Sequence, residues 1–393
     1  MLLFDRVERK TENVFILARP FVKWKILAAM KWDLYILLSG LLFVLSMSCG
    51  WSEVTMEDVK KAAVGGNAKA QYMMSLAYKN GRGGFSKDIA QSMLWLERAA
   101  EGGMVSAQYA LGEAYHYGNG VEQNDALALT WFRAAADQGH ASGQLKTAIM
   151  LTDARGAARD LPSATRYLQK AAEQGSALAQ YRYGSHLFLG LGVEKDLYAG
   201  KGWIEKAAAQ GEMEAQYDLG AIFEDAKVYD EAIKWYEKAM AQGHGSAAYN
   251  RGVIFAMHIP GKPELNSLSK ALESFRRGAE LGHIGSMNNL GVLLSDSDGD
   301  DDEADEGVRW LMKAAQAGHR SAQFNVGKVY LTGTLAESSK LEAYYWLSQA
   351  SLNGHREASR MLDRLAEELS VDELIEAQRV VGARKLESGD DGP

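Results

Sequence analysis

AQYALGEAYHYGNGVEQNDALALTWFRAAADQG, residues 107–139, decides the fold. It returns with changes as residues 179–211, and its closing glycine recurs from Gly103 at Gly139, Gly175, Gly211, Gly243, Gly282, Gly318 and Gly354. The spacings are 36, 36, 36, 32, 39, 36 and 36 residues. A fixed period of this length describes an array of small units that stack on one another, not a domain built around one core.

The register inside the unit shows two helices. Eight residues before the glycine stands Trp95, Trp131, Tyr167, Trp203, Trp235, Trp310 or Trp346; Ser274 breaks the series, with Phe275 beside it. Four and three residues before it come Ala99-Ala100, Ala135-Ala136, Ala171-Ala172, Ala207-Ala208 and Ala314-Ala315. A large ring followed four residues on by alanine sets bulk and a hole on one helical face, as close helix packing needs. The glycine then ends that helix as a left-handed cap. After the glycine a further helix begins, with a small residue at offset four, glycine at offset nine (Gly112, Gly184, Gly220, Gly252, Gly291, Gly327) and a ring or leucine at offset twelve. These offsets make one stripe. A glycine inside a helix costs about 1 kcal/mol relative to alanine, so its recurrence predicts backbones pressed together there.

The succession A-x-x-x-L-G-x-x-Y, a G-x-G-V loop, then W-[YF]-x-K-A-A-x-Q-G reads almost literally from Ala107 to Gly139 and from Ala179 to Gly211. It resembles the Sel-one-like repeat, a relative of the tetratricopeptide repeat, over roughly residues 57–382. The resemblance implies an all-α fold, an α/α solenoid in which about eight antiparallel helix pairs wind into a right-handed superhelix. It also implies a surface for binding other proteins, without naming the partner. The fifth unit lacks the G-x-G loop at Ala226 to Tyr229, the third carries Pro162 at the start of its second helix, the sixth has Pro260 and Pro263 in a longer loop, and the seventh replaces its loop with acid. Both ends are half units. Val59 to Gly66 is a second helix without its first; Arg356 to Ala366 is a first helix, followed by Ser370, Val371 and Asp372 capping Glu373 to Leu386. Atypical ends shield the open faces of a stack. The solenoid is therefore expected over 53–386, with a disordered tail at 387–393 that has nothing apolar to bury.

The first fifty residues obey different rules. Leu34 to Leu45 is a twelve-residue apolar run between Met30-Lys31 and Ser46-Met47-Ser48-Cys49, short for a bilayer span and followed by small residues that suit a signal peptidase. Read from Met30, residues 30–52 have the layout of a secretory signal, with residues 1–29 an upstream extension; the competing reading is an uncleaved anchor with Arg19, Lys23 and Lys25 on the cytoplasmic side. The sole cysteine, Cys49, either leaves with the signal or becomes the acylated first residue of a lipoprotein. Export to the periplasm or cell envelope of a bacterium, with membrane attachment through the N-terminal segment as an option, is the expectation. With 43 basic and 51 acidic residues the net charge is -8 and no basic stripe appears, so nucleic acid is not an expected partner.

Signals of chemistry are weak, and no catalytic, cofactor or metal residue is expected. Ser267 to Lys270 matches S-x-x-K without the companion elements of penicillin-interacting enzymes. His140, His244, His283, His319 and His355 each follow a repeat glycine. Repeats about 10 Å apart cannot converge them on one ion. Asp296 to Glu306 opens like a calcium loop, yet its glycine is Gly299 and Gly307 stands where the bidentate glutamate belongs, so a solvated acidic loop is expected. One surface pattern remains. Seven residues after the glycine, away from the packing face, stand Asn250, Asn289 and Asn325 in consecutive repeats, preceded by Lys146, Arg182 and Asp218. Asparagine offers donor and acceptor together, so such a ladder can grip the amides of an extended peptide. The expected function is an exported, non-catalytic adaptor that binds a protein or extended peptide along its concave face. The alternatives are a hydrolase of cell-wall or beta-lactam type, for which no nucleophile and base pair can be named, and a structural subunit of a membrane-anchored envelope complex.

Overall fold

A computed structural model describes residues 55–257, 259–295, 301–333 and 339–388. The extension at 1–29, the signal or anchor at 30–52 with Cys49, acidic residues 296–300 and tail residues 389–393 lie outside the described residues. The chain divides into two compact units, to Trp95 and from Leu96. Among the described residues every element is a helix, one of them a short 3-10 turn at Pro263–Leu265, and none is long and apolar enough to cross a membrane.

In the first unit, Met56–Val64 opens on a capping box in which Thr55 and Asp58 exchange hydrogen bonds, satisfying backbone donors left open at a helix start. Ala68–Asn80 packs beside it, with Val59, Ala63, Ala70, Met74 and Trp95 forming the core. Gln71 is buried there and donates to the Ala63 carbonyl at 3.1 Å.

In the second unit helices alternate in antiparallel pairs. First helices run Val105–Tyr117, Ala141–Thr152, Ala177–Leu189, Met213–Asp225, Gly245–Ala256, Ile284–Ser295 and Arg320–Thr332. Their partners are Asp125–Asp137, Leu161–Glu173, Leu197–Ala209, Tyr229–Ala241, Leu268–Glu280, Asp301–Gln316 and Lys340–Leu352. The repeat glycines end the second helices as expected. Gly139 has φ 91°, its N–H donates to Ala136 O and that of His140 to Ala135 O, the paired bonds of a Schellman turn. A side chain at Gly139 would meet nothing within 4 Å, so the backbone angle and not crowding demands glycine.

The packing refines the sequence reading at one position. The ring eight residues before the glycine is half-buried at Trp131, Tyr167, Trp203, Trp235 and Trp310. The core is filled by the next residue, Phe132, Leu168, Ile204, Tyr236, Phe275, Leu311 or Leu347, each at most 2% exposed. These side chains sit on the mid-helix glycines: a Cβ on Gly112 would lie 2.6 Å from the Phe132 ring, and one on Gly252 2.7 Å from that of Phe275. Four of these outer rings, all but Trp131, instead lie under lysine, as at Trp203 with Lys206 (3.9 Å) and Trp235 with Lys238 (3.7 Å). Ser274 departs from the series because buried Arg251 occupies its surroundings, donating to the Ser274 hydroxyl and pairing with Glu237 at 3.0 Å.

A glutamine clamp joins successive repeats. Gln144 donates to the Ala136 carbonyl at 3.2 Å and accepts from Gln174 at 2.8 Å. The same pair of bonds recurs at Gln108 with Gln138, Gln180 with Gln210, Gln216 with Gln242 and Gln323 with Asn353. Where the buried glutamine is replaced, by Ala248 or Met287, its partner is replaced too, by Leu281 or Ala317. Losing both partners together avoids a stranded amide, which would cost about 1–3 kcal/mol.

Two expected boundaries move. Residues 301–306 of the acidic stretch are helical, not loop, because Glu306 holds Arg276 and accepts from the Trp310 indole at 3.0 Å, anchoring that turn on the preceding repeat. The terminal helix runs Val371–Ser388, two residues past the expected limit, and Ser370 caps it reciprocally with Glu373.

Candidate peptide-binding face

From residue 213 to 332 each first helix also meets the first helix of the next repeat, so equivalent side chains form rows across repeats. The row seven residues after the glycine holds Lys146, Arg182, Asp218, Asn250, Asn289 and Asn325, all half-buried and not fully exposed. Five of the six, all but Arg182, are held by side-chain hydrogen bonds among the described residues. Lys146 donates to the Tyr117 hydroxyl at 3.1 Å, and Asp218 accepts from the Tyr181 hydroxyl at 2.9 Å. Asn250 donates to the Tyr236 hydroxyl at 3.1 Å, which itself donates to Glu224 at 2.6 Å. Asn325 donates across the repeat boundary to Asn288 at 3.2 Å, and Asn288 donates to Asn289 at 3.1 Å.

This leaves Asn250 Oδ1, Asn289 Nδ2 and Asn325 Oδ1 without a partner among the described residues. An acceptor, a donor and an acceptor therefore remain open in consecutive repeats. Asn288 belongs to the same network and was not singled out from the sequence. It stands six residues after the glycine, where other repeats carry Tyr109, Tyr181, Tyr217 and Tyr249, so an amide in a ring position is the signal that marks it.

The histidines serve the fold instead. His140, His244, His283, His319 and His355 cap first helices, each Nδ1 accepting the N–H three residues on at 3.1–3.2 Å. Four meet the ring of the preceding first helix at 4.3–4.7 Å between centroids, His244 on Tyr217 and His355 on Phe324 stacked, His140 against Tyr109 and His283 against Tyr249 tilted. Burial pushes the imidazoles of His140, His283 and His319 below their ordinary range. No group of three metal-ligating side chains occurs among the described residues. Ser267 is likewise a cap, for Leu268–Glu280, and the Lys270 ammonium lies 5.1 Å from the centre of the Phe255 ring.

Stacked antiparallel helix pairs define a helical-repeat protein. The chain belongs to the Sel1 repeat family, whose repeat matches at 68–104, 105–140, 141–176, 177–212, 214–244, 245–283, 284–319 and 320–355. Proteins built from this repeat generally mediate protein–protein interaction and are typically non-catalytic. A Sel1 repeat protein from Oxalobacter formigenes is 26% identical, with a TM-score of 0.62, over 82% of this chain and 93% of that one. A protective antigen of uropathogenic Escherichia coli with an SLR fold is 25% identical, with a TM-score of 0.47, over 84% of this chain and 86% of that one. No curated protein matches the chain.

Proposed function

We propose that the protein is an exported, non-catalytic adaptor that binds another protein or an extended peptide along the concave face of its first helices. The half-buried row that ends in Asn250, Asn289 and Asn325 carries the reading, because its free acceptor and donor atoms recur once per repeat. Repeats about 10 Å apart, set by the diameter of a helix, match about three residues of an extended chain at 3.3–3.6 Å each. Side chains already held in place lose little freedom when a ligand arrives. Export is supported by the apolar run Leu34 to Leu45 with its basic start and small-residue end, and membrane attachment by that segment or by an acylated Cys49.

The test compares the full chain with the variant N250A/N289A/N325A as bait in extracts of the native host. A partner held by the wild type and bound at least about tenfold more weakly by the variant, with helicity unchanged, is expected for loss of two or three amide contacts. Equal capture removes the ladder from the reading, and no specific partner removes the adaptor. N-terminal sequencing of the cellular protein tests export with cleavage, which an intact Met1 in the membrane fraction contradicts.

A further inference from the structure

Between the first helices Ala177–Leu189 and Met213–Asp225 lies a cleft of about 410 Å³. Its floor is the buried side chain of Ile204, its walls are Phe188 and Ile222, and Leu189 stands on its rim with 61% of its surface exposed. Two carboxylates open into it, those of Asp218 and Asp225. Apolar walls with acidic groups set among them suit a ligand that is apolar along its length and cationic at its end.

The charge around the cleft is unbalanced. Met213–Asp225 carries Glu214, Asp218, Glu224 and Asp225 and no basic residue. Glu214 lies 3.4 Å from His244 and Glu224 accepts from Tyr236, so two of the four have partners elsewhere. Asp218 accepts only the neutral Tyr181 hydroxyl, and Asp225 has no side-chain partner among the described residues. Burial pushes the Asp218 carboxyl above its usual range, against the hydrogen bond from Tyr181. Asp225 ends its helix, where open carbonyls already concentrate about half a negative charge and a cation would be favoured. Neither carboxylate has a salt-bridge partner among the described residues.

We propose that this cleft receives an arginine or lysine side chain of the bound peptide, its stem lying on Phe188, Leu189 and Ile222 and its charged head held by Asp218 and drawn in by Asp225. The inference rests on the peptide-binding reading above and adds to it a basic residue as the ligand's anchor. A cation there supplies the ion-pair partner that Asp218 lacks and covers the exposed Leu189.

The test uses the full chain and two pools of fluorescein-labelled decapeptides of mixed Ser, Thr and Val, one with a central arginine and one with its neutral isostere citrulline. Fluorescence anisotropy at low salt is expected to show the arginine pool bound about tenfold more tightly, as one charge-assisted contact predicts. In D218N/D225N the ratio of the two pools falls to about one, while N250A/N289A/N325A weakens both pools and keeps the ratio. D225N alone, at an exposed residue, preserves the fold and gives an intermediate ratio. Equal binding of the two pools by the wild type, or a preference that survives in D218N/D225N, overturns the cleft assignment and leaves the peptide-binding face standing. Failure of both pools to bind overturns the face and the cleft together.

Discussion

Single residues in this chain record what their neighbours in other helices require. Gly112 and Gly202 both lie inside helices, yet a Cβ on Gly112 would press on Phe132 whereas one on Gly202 would meet nothing within 4 Å. Overpacking a core costs about 1–3 kcal/mol, while replacing a helical glycine by alanine gains about 0.5–1 kcal/mol. Gly112→Ala is therefore expected to lower the thermal midpoint and Gly202→Ala to raise it. A midpoint raised by both would mean that Phe132 moves aside freely, contrary to its full burial. Compensation is visible at Gly278, which takes the place of the repeat alanine because Ser286, and not alanine, faces it: a Cβ there would lie 2.2 Å from the serine oxygen. The mid-helix glycines and their close packing were legible in the sequence, since each glycine carries a known cost and recurs in register. The residue that presses on them was not, because the ring at offset eight and its neighbour at offset seven are both apolar in most repeats. The stripe alone does not say which of the two turns inward.

Helix starts connect the fold to pH. Each capping histidine works only while its Nδ1 is unprotonated, and burial holds His140, His283 and His319 below the ordinary value of 6.5, with Glu113 opposing the effect at His140. Below that value the unfolded chain binds more protons than the folded one, so stability is complete above it and declines as the pH falls toward the folded-state values. The expected result is a thermal midpoint that drops between about pH 7.5 and 5.5 as those histidines meet their unfolded value. The slope should flatten in H140N/H283N/H319N, because Asn67 already caps the same register by accepting from Ala70 at 2.9 Å. A flat wild-type profile, or an unchanged slope in the variant, would sink the assignment. At this scale the sequence yielded the helices and the glycine turns but hid the caps, since a histidine after a glycine reads as a polar residue between helices and its position alone does not show that Nδ1 accepts a backbone N–H. The asparagine row was legible for the same reason as the helices, a fixed offset in consecutive repeats. Its link through Asn288 was not, because that bond joins residues 37 positions apart through side-chain rotamers.

In a linear array each repeat touches only its neighbours, so a local loss stays local. The C-terminal end shows what closes the stack. Val371–Ser388 lies against Lys340–Leu352, Arg384 pairs with Glu342, and Ala377 joins Leu347, Leu365 and Leu369 in one buried cluster. The half-unit ends were legible because one helix of the pair lacks its aromatic signature, whereas the cleft at Asp218 was not, since it forms only where two helices from different repeats, Ala177–Leu189 and Met213–Asp225, come together. Deleting Ser370 to Ser388 uncovers Leu365 and Leu369, at a cost on the order of 2 kcal/mol for each large apolar side chain returned to water. That cost falls on the last repeat. Hydrogen exchange in the truncated chain should therefore quicken within residues 320–368 and stay unchanged within 105–244, several interfaces away. Loss of protection in both stretches together would show one cooperative unit in place of an array, and binding by a face assembled repeat by repeat would then depend on the cap as much as on Asn250, Asn289 and Asn325.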